Sequence, residues 1–400
     1  MCTNRTSRSL CDNLKSLCCP MLLIIKNTTK FDPSLTPREA ANRNGGAVKS
    51  GRLFSIMPGY EALDVERRLP GARLFISDYQ GGHPFVDDYL GSLASCPVAD
   101  LGDVTRYAAI DEDWRLREKI ALFHHRYDGV NYSRNEVLAG AGSSMLLGTF
   151  CTWLMLAGYS QVHYLPPVYY KFAYLFKQYN IEPVPVSDLH AFQSDFELRL
   201  PKRRTLLVLT DPIWYAGAKV PCEVLDAIKA WQLNTGSLVF VDGTFQYMQW
   251  DGTYAEISAQ LPPDQTLRMI CPTKFLSLHG YRCAWLLVPK PLRDKLAELH
   301  LNLHGEASLA DGLFAHRACD VMLHNGNRRL LDYVQRNYQR LLDKDAVDGN
   351  FDVETGYFLF ARPRAPRAHF LSMGQDFFEL SGYPNHVRIN LLNNSAIDVL

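Results

Sequence analysis

The sequence predicts an α/β fold built on a largely parallel sheet with helices on both faces, and three observations carry that prediction. Short apolar runs without in/out alternation end at turn residues. Helical patterns separate these runs. Three of the runs deliver a polar side chain just past their ends: Asp211, Asp242 and Lys274. A strand that is apolar at consecutive positions is buried on both faces, which requires a covering layer on each side.

The elements follow in chain order. Residues 1–50 are rich in Asn, Ser, Thr and Arg and end in Asn42-Arg43-Asn44-Gly45-Gly46, the composition of a loosely ordered N-terminal extension. Its apolar run, Cys18 to Ile25, is far shorter than the roughly 20 residues of a membrane span. It also lacks the small-residue cleavage site of a signal peptide. The run is therefore expected to pack on the body or on a partner subunit. From about 112 to 127, Trp114, Leu116, Ile120, Leu122 and Phe123 recur at helical spacing. Gly140 to Ser144 opens another helical stretch. The apolar runs are 162–165, 205–210, 237–241, 267–270 and 283–288, with an amphipathic helix over Val220–Trp231. In a parallel sheet, polar residues just past the strand ends face the ligand crevice. One such Asp is more often a helix cap or turn former. Two Asp and a Lys together point to a site.

Composition narrows the function. The chain has 400 residues, 42 basic and 42 acidic side chains, and so no basic footprint for nucleic acid. That length suits one large domain with a smaller one, and the apolar share of 47% is ordinary for a globular enzyme. The ten cysteines form no CxxC pair and no His/Cys cluster of zinc spacing, so no metal is expected. Those from Cys96 onward lie in apolar segments and read as reduced, mostly buried thiols of a cytoplasmic protein.

Several motifs then share an order. Cys271-Pro272-Thr273-Lys274 precedes Gly280-Tyr281-Arg282. Upstream lie Asp242-Gly243-Thr244-Phe245, Asp211-Pro212, Pro167-Val168-Tyr169 and Gly140-Ala141-Gly142-Ser143-Ser144. Arg106-Tyr107 and Gly81-Gly82-His83-Pro84 come earlier, and Arg388 follows near the end. From about residue 75 to 392 this order resembles the fold-type I pyridoxal 5′-phosphate (PLP) enzymes, in the class I/II, aspartate-aminotransferase-like group. The resemblance implies a three-layer large domain with a mostly parallel sheet, over 101–289. It also implies a smaller α+β domain over 51–100 and 290–400.

It further implies roles. Lys274 forms the Schiff base with PLP and then moves the substrate α-proton. Asp242 bonds the pyridine nitrogen. Tyr169, with Tyr170 as alternate, stacks on the ring. Gly142, Ser143, Ser144, Cys271, Thr273 and Arg282 surround the phosphate, and Tyr107 reaches the phosphate of a partner subunit in a homodimer. Gly82 lines the substrate pocket, and Arg388 grips the α-carboxylate of an amino-acid substrate. Twelve residues follow Arg388, too few for the family's usual terminal helix.

The sequence departs from the pattern at three points. Cys271 replaces a phosphate-binding Ser. Phe245 stands where a Tyr donates to the cofactor 3′-oxygen, with Tyr247 nearby but out of register. Asp211 replaces an Asn that donates to the same oxygen. Their loss predicts a less acidic imine. It also shifts the expected chemistry from transamination toward elimination, replacement or cyclisation in specialised metabolism. A non-catalytic PLP-binding regulator is the reading from another class. The first 50 residues lack the periodicity of its DNA-binding domain, and Lys274 and Arg388 are both retained. A dinucleotide-dependent dehydrogenase lacks its GxGxxG motif.

Overall fold

The computed structural model describes residues 74–77, 82–91, 93, 111, 113–253, 256–348, 353–365 and 370–400. The N-terminal extension, Cys96 and Tyr107 lie outside the described residues.

Along the chain, β1 (Leu74–Phe75) and α1 (Val86–Leu90) precede α2 (Trp114–Asp128). Next come β2 (Val137–Gly140), α3 (Ser143–Leu156), β3 (Gln161–Tyr164), α4 (Tyr170–Gln178) and β4 (Glu182–Pro185). They are followed by β5 (Leu206–Thr210), α5 (Cys222–Thr235), β6 (Leu238–Gly243), β7 (Thr266–Ile270), the one-turn α6 (Pro272–Phe275) and β8 (Ala284–Leu287). The remainder is α7 (Lys290–His304), α8 (Leu309–His324), α9 (Arg328–Asp343), β9 (Val347–Asp348), β10 (Phe358–Pro363), β11 (Phe370–Leu371), β12 (Val387–Asn390) and α10 (Asn394–Val399).

Seven strands form one sheet in the order β2-β8-β7-β6-β5-β3-β4. All pairings are parallel except those of β8, which runs antiparallel to β2 and β7. The apolar runs owe their lack of alternation to two cores, one on each face. Leu207, Leu209, Val239 and Val241 enter one. Leu206, Val208 and Phe240 enter the other. Period 2 persists, but both faces are dry. The edge strand β4 carries Pro183 and Pro185, tolerated where no further ladder forms. Neither β2 nor β4 figures among the predicted runs, because Gly or Pro interrupts both.

Helix α2 starts where its cap allows. Asp113 accepts hydrogen bonds from the Arg115 and Leu116 amides, and Gly129 closes the helix at φ 68°. Asp111, which precedes it, accepts from the Ala139 amide of β2 and pairs with Arg293 of α7. Helix α7 packs on α3 of the large sheet. The predicted boundary at residue 290 therefore cuts through a packed pair, because β8 leads straight into a helix that covers the sheet. In the smaller part, β10 lies between β12 and β9, antiparallel to both, and β1 pairs in parallel with β11.

Among the described cysteines Cys151, Cys271, Cys283 and Cys319 are buried and free, as expected of most, and Cys222 is exposed at the start of α5. The residues after Arg388 include one short helix, α10, with the Asn393 side chain capping the Ala396 amide. No helix among the described residues is long and apolar enough to cross a membrane, and no metal-binding cluster occurs among them.

Candidate active site

Strands β5, β6 and β7 are parallel neighbours, so their C-terminal ends open at one edge of the sheet. A cavity of about 240 Å³ lies there. Asp242, the penultimate residue of β6, lines it and is 3% exposed. One carboxylate oxygen accepts from the Thr244 amide at 3.2 Å and from the Thr244 hydroxyl. Burial pushes the carboxyl up to about 6, against the pull of Thr244 and the Lys274 charge. Lys274 reaches the same cavity from α6, its ammonium 5.5 Å from the centre of the Phe245 ring. Tyr169 caps α4 just after the cis Pro166-Pro167 bond and also faces the cavity. Tyr170 lies 4.5 Å from it, ring to ring, and faces a neighbouring apolar hollow instead.

The other end of the cavity is built for an anion. Gly142 adopts φ 94° and starts α3, whose first residues Ser143 and Ser144 line the wall. The amides of a helix N-terminus attract negative charge. The Arg282 guanidinium lies against Gly142, where a Cβ would sit 3.0 Å from Nη2. Its backbone is held by a 2.7 Å bond from the Arg282 amide to Asp311. Among the described residues that guanidinium makes no hydrogen bond or ion pair. Lys171 donates to the Ser144 hydroxyl at 2.8 Å. Thr273 and Cys271 complete this end, with Oγ1 and Sγ 3.1 Å apart.

Four predicted residues are placed differently or not at all. The Asp211 carboxylate turns away from the cavity, accepting from the Val220 amide at 3.1 Å and bonding Ser258. Burial raises its pKa. Asp211 thus keeps its expected place after β5, but the Val220 amide ahead of α5 captures its side chain. Arg388 sits on β12, 1% exposed and off the cavity wall. Its Nε and Nη2 donate to Ser77 Oγ (2.6 Å) and Ser77 O (2.8 Å), and its guanidinium lies 4.4 Å from the Phe358 ring. Phe358 in turn packs 5.8 Å from Phe245, so one aromatic layer separates Arg388 from the cavity. Gly82 is exposed and lines no wall, but its neighbour His83 bonds the Leu276 carbonyl in the loop after Lys274. Tyr107 lies outside the described residues.

The structure adds residues that the motifs did not single out. Thr244 holds Asp242, and Trp214 forms a side wall 6.4 Å from Tyr169, edge-on. His279 lines the cavity, with Nε2 3.2 Å from the Tyr357 hydroxyl. Burial and the nearby Lys274 drive its pKa down to about 3, so it is neutral. A His between Lys274 and Gly280 was visible as a polar residue in an apolar stretch. Lys171 gave no signal, since helix α4 reads as an ordinary amphipathic element.

These groups fit one cofactor class. A buried carboxylate, a primary amine, an aromatic wall and two cations at a helix start, neither with a carboxylate partner among the described residues, match a pyridinium aldehyde bearing a phosphate.

Comparison with known proteins agrees. The family described as aminotransferase class I and II matches residues 76–373. The chain therefore belongs to the class I and II aminotransferase family and is a PLP-dependent transferase. Among solved structures, N-succinyldiaminopimelate aminotransferase from Mycobacterium tuberculosis superposes with TM-score 0.67 at 16% identity, covering 88% of this chain and 97% of that one. Aspartate aminotransferase from Thermus thermophilus with maleate gives 0.68 at 16% identity, covering 88% and 98%. Substrate-bound BacF from Bacillus subtilis gives 0.67 at 15% identity, covering 85% and 92%. At such identities the likeness concerns the fold. No curated protein matches the sequence.

Proposed function

We propose that this enzyme acts at the α-carbon of an amino acid, with Lys274 as both cofactor anchor and proton carrier. The observation that supports this reading most is the shared cavity of Asp242, Lys274 and the unpaired Arg282. PLP, when bound, withdraws electrons from the substrate α-carbon. The protein does the rest. Asp242, desolvated and held by Thr244, keeps a proton on the pyridine nitrogen. Gly142, Ser143, Ser144, Thr273 and Arg282 hold the phosphate, and Tyr169 limits the tilt of the ring. Lys274 Nζ takes the α-proton and returns it elsewhere. Arg388 binds the α-carboxylate once Ser77 releases part of its fork.

A second reading rests on Phe245. Its ring lines the cavity beside Lys274 and offers no hydroxyl, while Asp211 faces elsewhere. That supports loss or cyclisation of a side chain over plain transamination, in specialised metabolism. A homodimer with shared sites belongs to the same proposal, with Tyr107 as the residue that crosses over. Exposed Met145, Leu301 and Leu303, beside the starts and ends of α3 and α7, favour such a partner.

The test is product analysis over a panel of amino acids. A keto acid with pyridoxamine phosphate means transamination, and a changed carbon skeleton with PLP retained means elimination or cyclisation. Protein that takes up no PLP ends the proposal.

A further inference from the structure

Arg282 lines the anion end of the cavity and Lys171 stands behind it, bonded to the lining residue Ser144; among the described residues neither has a carboxylate partner. The Arg282 guanidinium is unpaired, and the Lys171 ammonium touches only the Ser144 hydroxyl among the described residues. Lys171 is half-buried in the first turn of α4. Burial and the repulsion of Arg282 both lower its pKa, so its charge stands at a cost. Two other buried or part-buried cations carry a carboxylate partner, Arg293 with Asp111 and Arg268 with Asp128. A half-buried lysine beside an arginine, aimed at a helix start, needs an anion to balance it.

We infer that Lys171 is a second cationic ligand of the cofactor phosphate, which makes the seat specific for a dianion. The inference rests on the proposed PLP site. Both reach the α3 start, Lys171 through Ser144 and Arg282 against Gly142. Two positive charges match the two negative charges of an ionised phosphate; Arg282 alone leaves one unmatched. The arrangement also accounts for Cys271. A thiol is a weak donor, and this one is already engaged with Thr273 and the Cys283 carbonyl. The ammonium of Lys171 supplies what a hydroxyl at 271 would have given.

The test compares PLP with pyridoxal, which has the same ring and aldehyde but no phosphate. The full chain, Lys171→Met, Lys171→Gln and Lys171→Arg are titrated with each compound, following visible absorbance. Both neutral variants should lose about tenfold or more in PLP affinity and leave pyridoxal affinity unchanged. Lys171→Arg should recover most of the loss. Inorganic phosphate should compete with PLP on the unaltered chain, and at least about tenfold more weakly on Lys171→Gln. An unchanged PLP-to-pyridoxal ratio in both neutral variants overturns the inference. Failure of the unaltered chain to take up PLP would instead overturn the proposed site.

Discussion

Two clusters of charge lie on opposite sides of the same strand end. On β7, Met269 faces the cavity and its neighbour Arg268 faces the other way, fully buried. Arg268 donates to Asp128 at 2.8 Å, to Gln246 at 2.7 Å and to the Tyr247 hydroxyl. Asp128 also accepts from Tyr247 at 2.8 Å and from His124 at 2.8 Å, and His124 accepts from the Trp285 indole at 2.9 Å. Every cation there has an anion inside the protein. At the cavity's anion end, Arg282 and, behind Ser144, Lys171 have none among the described residues. On the proposed function, the closed cluster maintains the fold and the open one is completed by the cofactor. Charge pairing, more than charge itself, separates structural from functional residues here.

The strongest way to break this contrast is at the open cluster. Lys274→Ala should abolish the covalent chromophore and cut turnover by at least about a hundredfold, read by absorbance and product mass spectrometry. Stability without cofactor should barely move.

At the closed cluster the effects should be inverted. Asp128→Ala leaves Arg268 buried and unpaired, and should cost about 3–5 kcal/mol in urea unfolding. Arg282→Gln removes no internal partner and should change unfolding by less than about 0.5 kcal/mol, while weakening PLP uptake about tenfold or more. Equal destabilisation by both variants would erase the distinction.

Acid should also separate the clusters. Burial holds His124 down to about 4, below its ordinary 6.5, and the stability tied to its neutral form is lost as pH falls through that window. Burial opposes ionisation of Asp128, but Arg268 and His124 outweigh it and bring the carboxyl to about 2. Its contribution is lost as pH falls from 3.8 toward 2. Asp242 has the opposite sign. Raised from 3.8 to about 6, it favours the cofactor-free fold at low pH and loses that effect as pH rises through 6. Asp242→Asn should flatten the upper part of the unfolding profile and leave the acid limb unchanged.

The smallest expected effect is at Phe245. Phe245→Tyr restores a hydroxyl near the cofactor 3′-oxygen and should move the visible absorbance titration to lower pH. No movement would mean that the tyrosine hydroxyl does not reach that oxygen.

Much of this was legible in the sequence because burial on both faces leaves uninterrupted apolar runs. The ends of β5, β6 and β7 could be read to within a residue or two, and with them Asp242 and Lys274. Side-chain direction was not legible. Asp211 occupies the expected place in the chain, yet the Val220 amide turns it away. Arg388 lies in the expected strand, yet Ser77, about three hundred residues earlier in the chain, takes its fork. Lys171 escaped notice because its meaning depends on Ser144 and Arg282, which only the folded chain brings near.

The position of Arg268 beside Met269 has a consequence for accuracy. Side chains on a strand alternate, so a slip of β7 by one residue would exchange the two. It would push a guanidinium under the cofactor ring and strand Asp128 without its partner. It would also carry Lys274 along by roughly 3.3 Å, beyond reach of its target. The buried ion pair thus acts as a register pin, and the amine proposed to be catalytic inherits its position from a salt bridge on the far face of the strand.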